Sequence, residues 1–118
     1  MVERLVVVVL FERVDLLDVT GPPEVFALLQ REMDEPTGYE VLLVAPSMEP
    51  VTTSAGVRVL PDATFTDLEG RSIDTLVVPG AVDVDEDRRV TALVDPEIAA
   101  HVADLAPGSY THLRAHET

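Results

Sequence analysis

Two carboxylates three residues apart, Asp15 and Asp18, stand in the apolar stretch VDLLDVTGPPEVFALL, Val14 to Leu29. Gly21, Pro22 and Pro23 follow together, and Glu24 comes just before a helical apolar pattern. A carboxylate at the end of an element, beside a cleft, can tune the protonation of a neighbouring group or relay a proton. The same side chains also cap helices, because their oxygens satisfy N–H groups that a first turn leaves unpaired. Asp15 reads as such a cap and Glu24 as a surface charge. Asp18 is retained as the candidate for chemistry.

Other chemistry is thinly represented. The chain has no cysteine, so it holds no thiol nucleophile, no disulfide and no thiolate metal site. Ser47, Ser54 and Ser72 lack a G-x-S-x-G setting. His101 borders the apolar stripe of a helical pattern and reads as a packed or surface residue. His112 and His116 are four apart, but both lie in the closing stretch SYTHLRAHET. That stretch matches one reading frame of a common transposase-based sequencing adapter. Residues 109–118 are therefore expected to be an adapter-derived artefact, disordered and outside the domain, and the gene is expected to continue past Gly108. No metal or cofactor is expected.

The charge balance excludes one class of partner. The chain has 118 residues, with 22 acidic against 8 basic side chains and a net charge of −14. Phosphate backbones repel such a chain, so no direct nucleic-acid contact by this segment is expected. All the basic residues are arginine, and lysine and asparagine are absent, as a GC-rich genome would produce. The longest apolar run, Leu5 to Phe11, is too short to span a bilayer and its flanks make no signal peptide. A cytoplasmic location with no membrane contact is expected.

The elements that must position Asp18 follow from apolar patterning. Leu5–Phe11, Tyr39–Pro46 and Asp74–Gly80 are continuous Val/Leu runs, as in strands buried on both faces of a parallel sheet. Val25, Leu28, Leu29 and Met33 fall on one helical face between the first two. Pro50–Pro61 reads as a hairpin around Ser54-Ala55-Gly56, and Asp62–Leu68 as a capped short helical turn. The stretch from Asp85 to Ala106 reads as two helices meeting near Asp95-Pro96, with Asp95 as N-cap and Pro96 in the first helical position. Ile98, Val102 and Leu105 form the apolar stripe of the second. The order βαβ–hairpin–βα predicts an α/β fold. It is an open, mostly parallel, flavodoxin-like sheet with helices on both faces and one β-hairpin.

The motifs DLLDVTGPPEVFAL, SAGVRVLPDATFTDL and DTLVVPGA resemble the DJ-1/PfpI family, within the class I glutamine amidotransferase-like superfamily. The pattern is most similar to the N-terminal sensor domain of AraC-type transcription regulators. Isonitrile hydratase, of the same branch, carries a similar motif. The resemblance covers residues 1–108 and implies an incomplete domain, because the family's next strand, which ends in a cysteine-bearing turn, is missing.

It implies that the first helix starts near Asp15 and kinks at Pro22 and Pro23, which free the carbonyls of Asp18 and Val19. It also implies that Asp18 faces the missing cysteine, and that Gly80 and Ala81 supply oxyanion-site amides. The family usually has a second glycine where Ala81 stands, and an alanine would be strained in a left-handed backbone. That departure fits a sensor better than an enzyme. The implied function is the ligand-sensing part of an AraC-type regulator, binding an unknown small molecule and homodimeric when full length. The alternative is a fragment of a cysteine enzyme, isonitrile hydratase-like or a PfpI-like hydrolase.

Overall fold

The computed structural model describes residues 4–32, 38–84, 86–88, 90–92, 96–105 and 110–113. In chain order it contains β1 (Arg4–Val9), α1 (Leu16–Glu32), β2 (Tyr39–Ala45), β3 (Val51–Thr52), β4 (Arg58–Val59) and β5 (Ala63–Thr64). A 3-10 turn at Thr66–Leu68 follows, then β6 (Thr75–Val78), β7 (Val82–Val84), β8 (Val90–Ala92), α2 (Pro96–Leu105) and β9 (Tyr110–Leu113).

The main sheet runs β5-β2-β1-β6-β9, and every neighbouring pair is parallel. β1 lies at its centre, with Val7 beside Leu42 on one side and Leu76 on the other. Val6, Val7, Val8 and Val9 are all fully buried. Alternate residues of a strand point to opposite faces, so both faces of β1 are covered. This is why the run shows no polar alternation. Each such burial is worth about 1.5–3 kcal/mol.

Residues Leu5, Val7, Val9, Val44, Leu76 and Ile98 share one core with Phe65 and Leu68. α2 therefore covers this face, and the His101 ring stacks on Phe65 at 4.4 Å. α1 lies on the opposite face, where Phe26 meets Tyr39 at 4.8 Å and Gln30 accepts the Tyr39 N–H. Asp67 closes the turn after β5 by accepting the Thr64 N–H at 2.9 Å. That bond, with a second from the Thr64 hydroxyl, holds its carboxyl below the ordinary value.

Several expectations need correction. The first half of the stretch read as two helices holds β8 instead, which forms a hairpin with β7 just before that stretch. Val82, Val84 and Val90 are β-branched, and over so short a window apolar spacing does not separate strand from helix. Among the described residues there are thus two hairpins, since β3 and β4 pair as expected around Ser54-Ala55-Gly56. Asp95 lies outside the described residues, and Pro96 opens α2 as predicted. α1 begins at Leu16 and continues through both prolines to Glu32. The apolar face read from the sequence is not the buried one: Val25, Leu28 and Leu29 are exposed, Val19 is buried, and Met33 lies outside the described residues.

One correction concerns the sheet edge. The disorder expected for 109–118 gives way at Tyr110–Leu113 to a strand paired along the whole of β6. An open parallel edge presents unpaired N–H and C=O groups and accepts any extended segment within reach, whatever its origin.

Candidate functional site

The carboxyl ends of β1, β2 and β6 converge where α1 begins. After β1 the chain turns through Phe11 and Glu12 to Arg13, whose backbone is left-handed at φ 70°. Side chains rarely adopt that conformation, so the turn is held from outside. The Arg13 N–H donates to the Thr52 carbonyl at 2.8 Å, and the Ser54 N–H donates to the Val14 carbonyl at 3.0 Å. The Thr52 N–H reaches the Glu12 carboxylate at 3.3 Å. The β3–β4 hairpin thereby fixes the loop that carries Asp15 and Asp18.

Asp15 occupies the N-cap of α1. Its carbonyl accepts the N–H groups of Asp18 at 3.1 Å and Val19 at 3.3 Å. Its own N–H donates to the Gly80 carbonyl at 2.9 Å. The Gly80 N–H in turn donates to Asp18 Oδ2 at 3.0 Å. Both backbone groups of Gly80, just past the end of β6, are therefore held by the first turn of α1. Val14 and Val19 are fully buried beneath this junction. A carboxylate in the first turn also suits the positive end of the helix.

The sequence-derived site residues are thus brought together, in a different arrangement from the one implied. Asp18 and Gly80 touch, but the Gly80 amide serves Asp18 instead of standing open to an oxyanion. Ala81 is buried and packs in the main core. Among the described residues, left-handed backbone outside glycine occurs only at Arg13 and Arg88. The strain anticipated for Ala81 does not arise, and its methyl group fills space. Glu24 is exposed, as expected of a surface charge.

Sequence reasoning missed two features. One is the double use of Gly80, which reads in sequence only as a strand-ending turn. The other is a cleft of about 200 Å³ with Phe11, Val51 and Ile98 in its wall and Glu12, Glu49 and Glu97 among its lining. Its carboxylates disfavour an anionic occupant. Among the described residues, no three His, Asp or Glu side chains gather where they could hold a metal ion. No described helix is long and apolar enough to cross a membrane.

A parallel sheet with its cleft at the carboxyl ends of the strands is the general arrangement of ligand-binding α/β domains. Residues 4–99 match the DJ-1/PfpI family, and the chain belongs to it. It is 37% identical over 75 residues to isonitrile hydratase from Pseudomonas putida, a match covering 64% of this chain and 29% of that enzyme. A ThiJ/PfpI family protein from Pseudomonas syringae superposes with a TM-score of 0.69 at 24% identity, over 98% of this chain and 42% of its own. An AraC family transcriptional regulator from Pseudomonas putida superposes with a TM-score of 0.68 at 18% identity, over 93% of this chain and 55% of its own. The chain thus spans about half, or less, of the proteins it matches.

Proposed function

We propose that this chain is the front part of the ligand-sensing DJ-1/PfpI-like domain of a cytoplasmic AraC-type transcriptional regulator. DNA recognition would then reside in a segment outside this chain. The observation that carries the reading is the Gly80 N–H held by Asp18 at 3.0 Å. An acyl-transfer or hydratase site needs backbone donors aimed at developing negative charge. Here a fixed carboxylate takes that donor, which suits binding without turnover. The test is to sequence the locus beyond codon 108 and assay the intact product. A basic helix-turn-helix region and ligand-dependent promoter binding are expected. A stop codon shortly after one cysteine-bearing strand and its helix would overturn the reading.

The second reading is a fragment of a cysteine-dependent enzyme. The 37% identity to isonitrile hydratase favours it. It predicts that the intact product hydrates an isonitrile or hydrolyses a small amide.

Two results are expected of the chain itself. It should turn over neither isonitriles nor small amides, because no activated nucleophile is present. Turnover above an Asp18→Ala control, followed by chromatography of the product, would contradict this. It should also give no mobility shift with duplex DNA at low salt, because its charge of −14 opposes phosphate binding. A shift that weakens steeply with added salt would contradict that.

A further inference from the structure

Residues 11–14 carry the chain from the end of β1 to the start of α1, and both ends of this loop are tied to the main sheet. The Leu10 N–H donates to the Val44 carbonyl at 2.8 Å, and the Asp15 N–H donates to the Gly80 carbonyl at 2.9 Å. Between these ties Arg13 is left-handed, at φ 70°. Glycine enters that region freely, whereas steric contact sets the balance against any other L-residue by about tenfold. Such a backbone persists only where its surroundings over-determine it.

The surroundings that hold Arg13 are the β3–β4 hairpin. Its strands pair with each other and not with the main sheet. Thr53 is buried within it, and its N–H and hydroxyl both donate to the Val57 carbonyl, at 2.9 and 2.8 Å. The hairpin is thus braced internally and bears on the loop as a unit. The Thr52 carbonyl takes the Arg13 N–H at 2.8 Å, the Ser54 N–H reaches the Val14 carbonyl at 3.0 Å, and the Thr52 N–H reaches the Glu12 carboxylate at 3.3 Å.

We propose that the hairpin is a catch on a strained loop, and that its release opens the Asp18–Gly80 junction in the same step. With the catch closed, Arg13 stays left-handed and the first turn of α1 is presented to Gly80. With the catch open, Arg13 relaxes. Asp15 lies two residues further on, so the start of α1 turns with it. Both sides of the catch also stand in one cleft, lined by Phe11 and Glu12 from the loop and by Val51 from the hairpin. An occupant that bears on Glu12 competes with the Thr52 N–H for its carboxylate. The catch therefore links the cleft to the junction, for a regulator and an enzyme alike.

The test is amide hydrogen exchange, followed by NMR on the whole chain. Ser54 reports the catch, Gly80 the junction, and Val7 in the centre of β1 global unfolding. Ser54 and Gly80 should be equally protected, and less so than Val7. Arg13→Ala is the reference, because it keeps an L-residue in the strained position without the arginine side chain. Relative to it, Arg13→Gly should slow exchange at Ser54 and Gly80 together, by about tenfold. Glu12→Ala should speed both by about threefold relative to the unaltered chain, as loss of one exposed hydrogen bond does. Arg13→Gly relieves strain, so the decisive comparison does not depend on a variant that unfolds. Slowing at Ser54 with Gly80 unchanged would mean that the junction opens while the catch stays closed, and overturns the proposal. So does exchange at Gly80 as slow as at Val7. So does an Arg13→Gly chain that exchanges no more slowly than Arg13→Ala at either position.

Discussion

Asp18→Ala is expected to destabilise the chain by about 1–3 kcal/mol, the range for leaving a buried hydrogen-bond donor without its partner. The side chain does more than cap a helix. It holds the Gly80 N–H at 3.0 Å, while Asp15 next to it holds the Gly80 carbonyl at 2.9 Å. Without the carboxylate, the Gly80 N–H is left at a junction floored by Val14 and Val19, both fully buried. An unpaired donor in such a place retains its desolvation penalty, so the loss exceeds that of an ordinary surface cap. Asp18→Asn keeps an acceptor oxygen at similar reach and should cost less than half as much. Urea denaturation of the three proteins measures the difference. Amide hydrogen exchange at Gly80 supplies the local readout, and its protection should fall most in Asp18→Ala. Equal stability and equal protection in all three would show that the junction is held by the Asp15 bond alone.

This junction also shows what the sequence could and could not disclose. The strands β1, β2 and β6 were legible because burial on both faces demands continuous Val/Leu runs, and such runs are rare elsewhere in the chain. The hairpin around Gly56 was legible because Gly56, at φ 84°, adopts a backbone that only glycine enters freely. The pairing of Asp18 with Gly80 joins residues 62 apart, and no local pattern encodes it. The orientation of α1 is not legible for a different physical reason. The helix is apolar on both sides, so spacing reported an apolar stripe without saying which of two stripes faces the sheet. Val25, Leu28 and Leu29 gave the more regular pattern, yet Val19 is the buried residue. The β7–β8 hairpin was lost to the converse ambiguity, in which three-residue strands are too short to show a period of two.

Deletion of residues 109–118 is expected to lower the melting temperature and to promote self-association. The adapter-like sequence of that segment implies dispensability, but its backbone is engaged. Tyr110–Leu113 pairs in register with Thr75–Val78 along the full length of β6. A strand bond contributes about 0.5–1.5 kcal/mol net, so losing a short ladder costs a few kcal/mol. Domains of this size hold only about 5–15 kcal/mol in total. The deletion also turns β6, whose Leu76 is fully buried, into an edge strand. An apolar edge with unpaired N–H and C=O groups pairs with another chain, so the loss of stability should come with light scattering that rises on heating. The ladder's hydrogen bonds are made by the backbone. A ten-residue replacement of unrelated but extended sequence should therefore rescue much of it, while a Gly/Ser-rich or proline-containing one should not. An unchanged melting temperature and a monodisperse sample after deletion would show that the fold ends before residue 109. In that case β6 would be protected by means other than the fifth strand of the sheet.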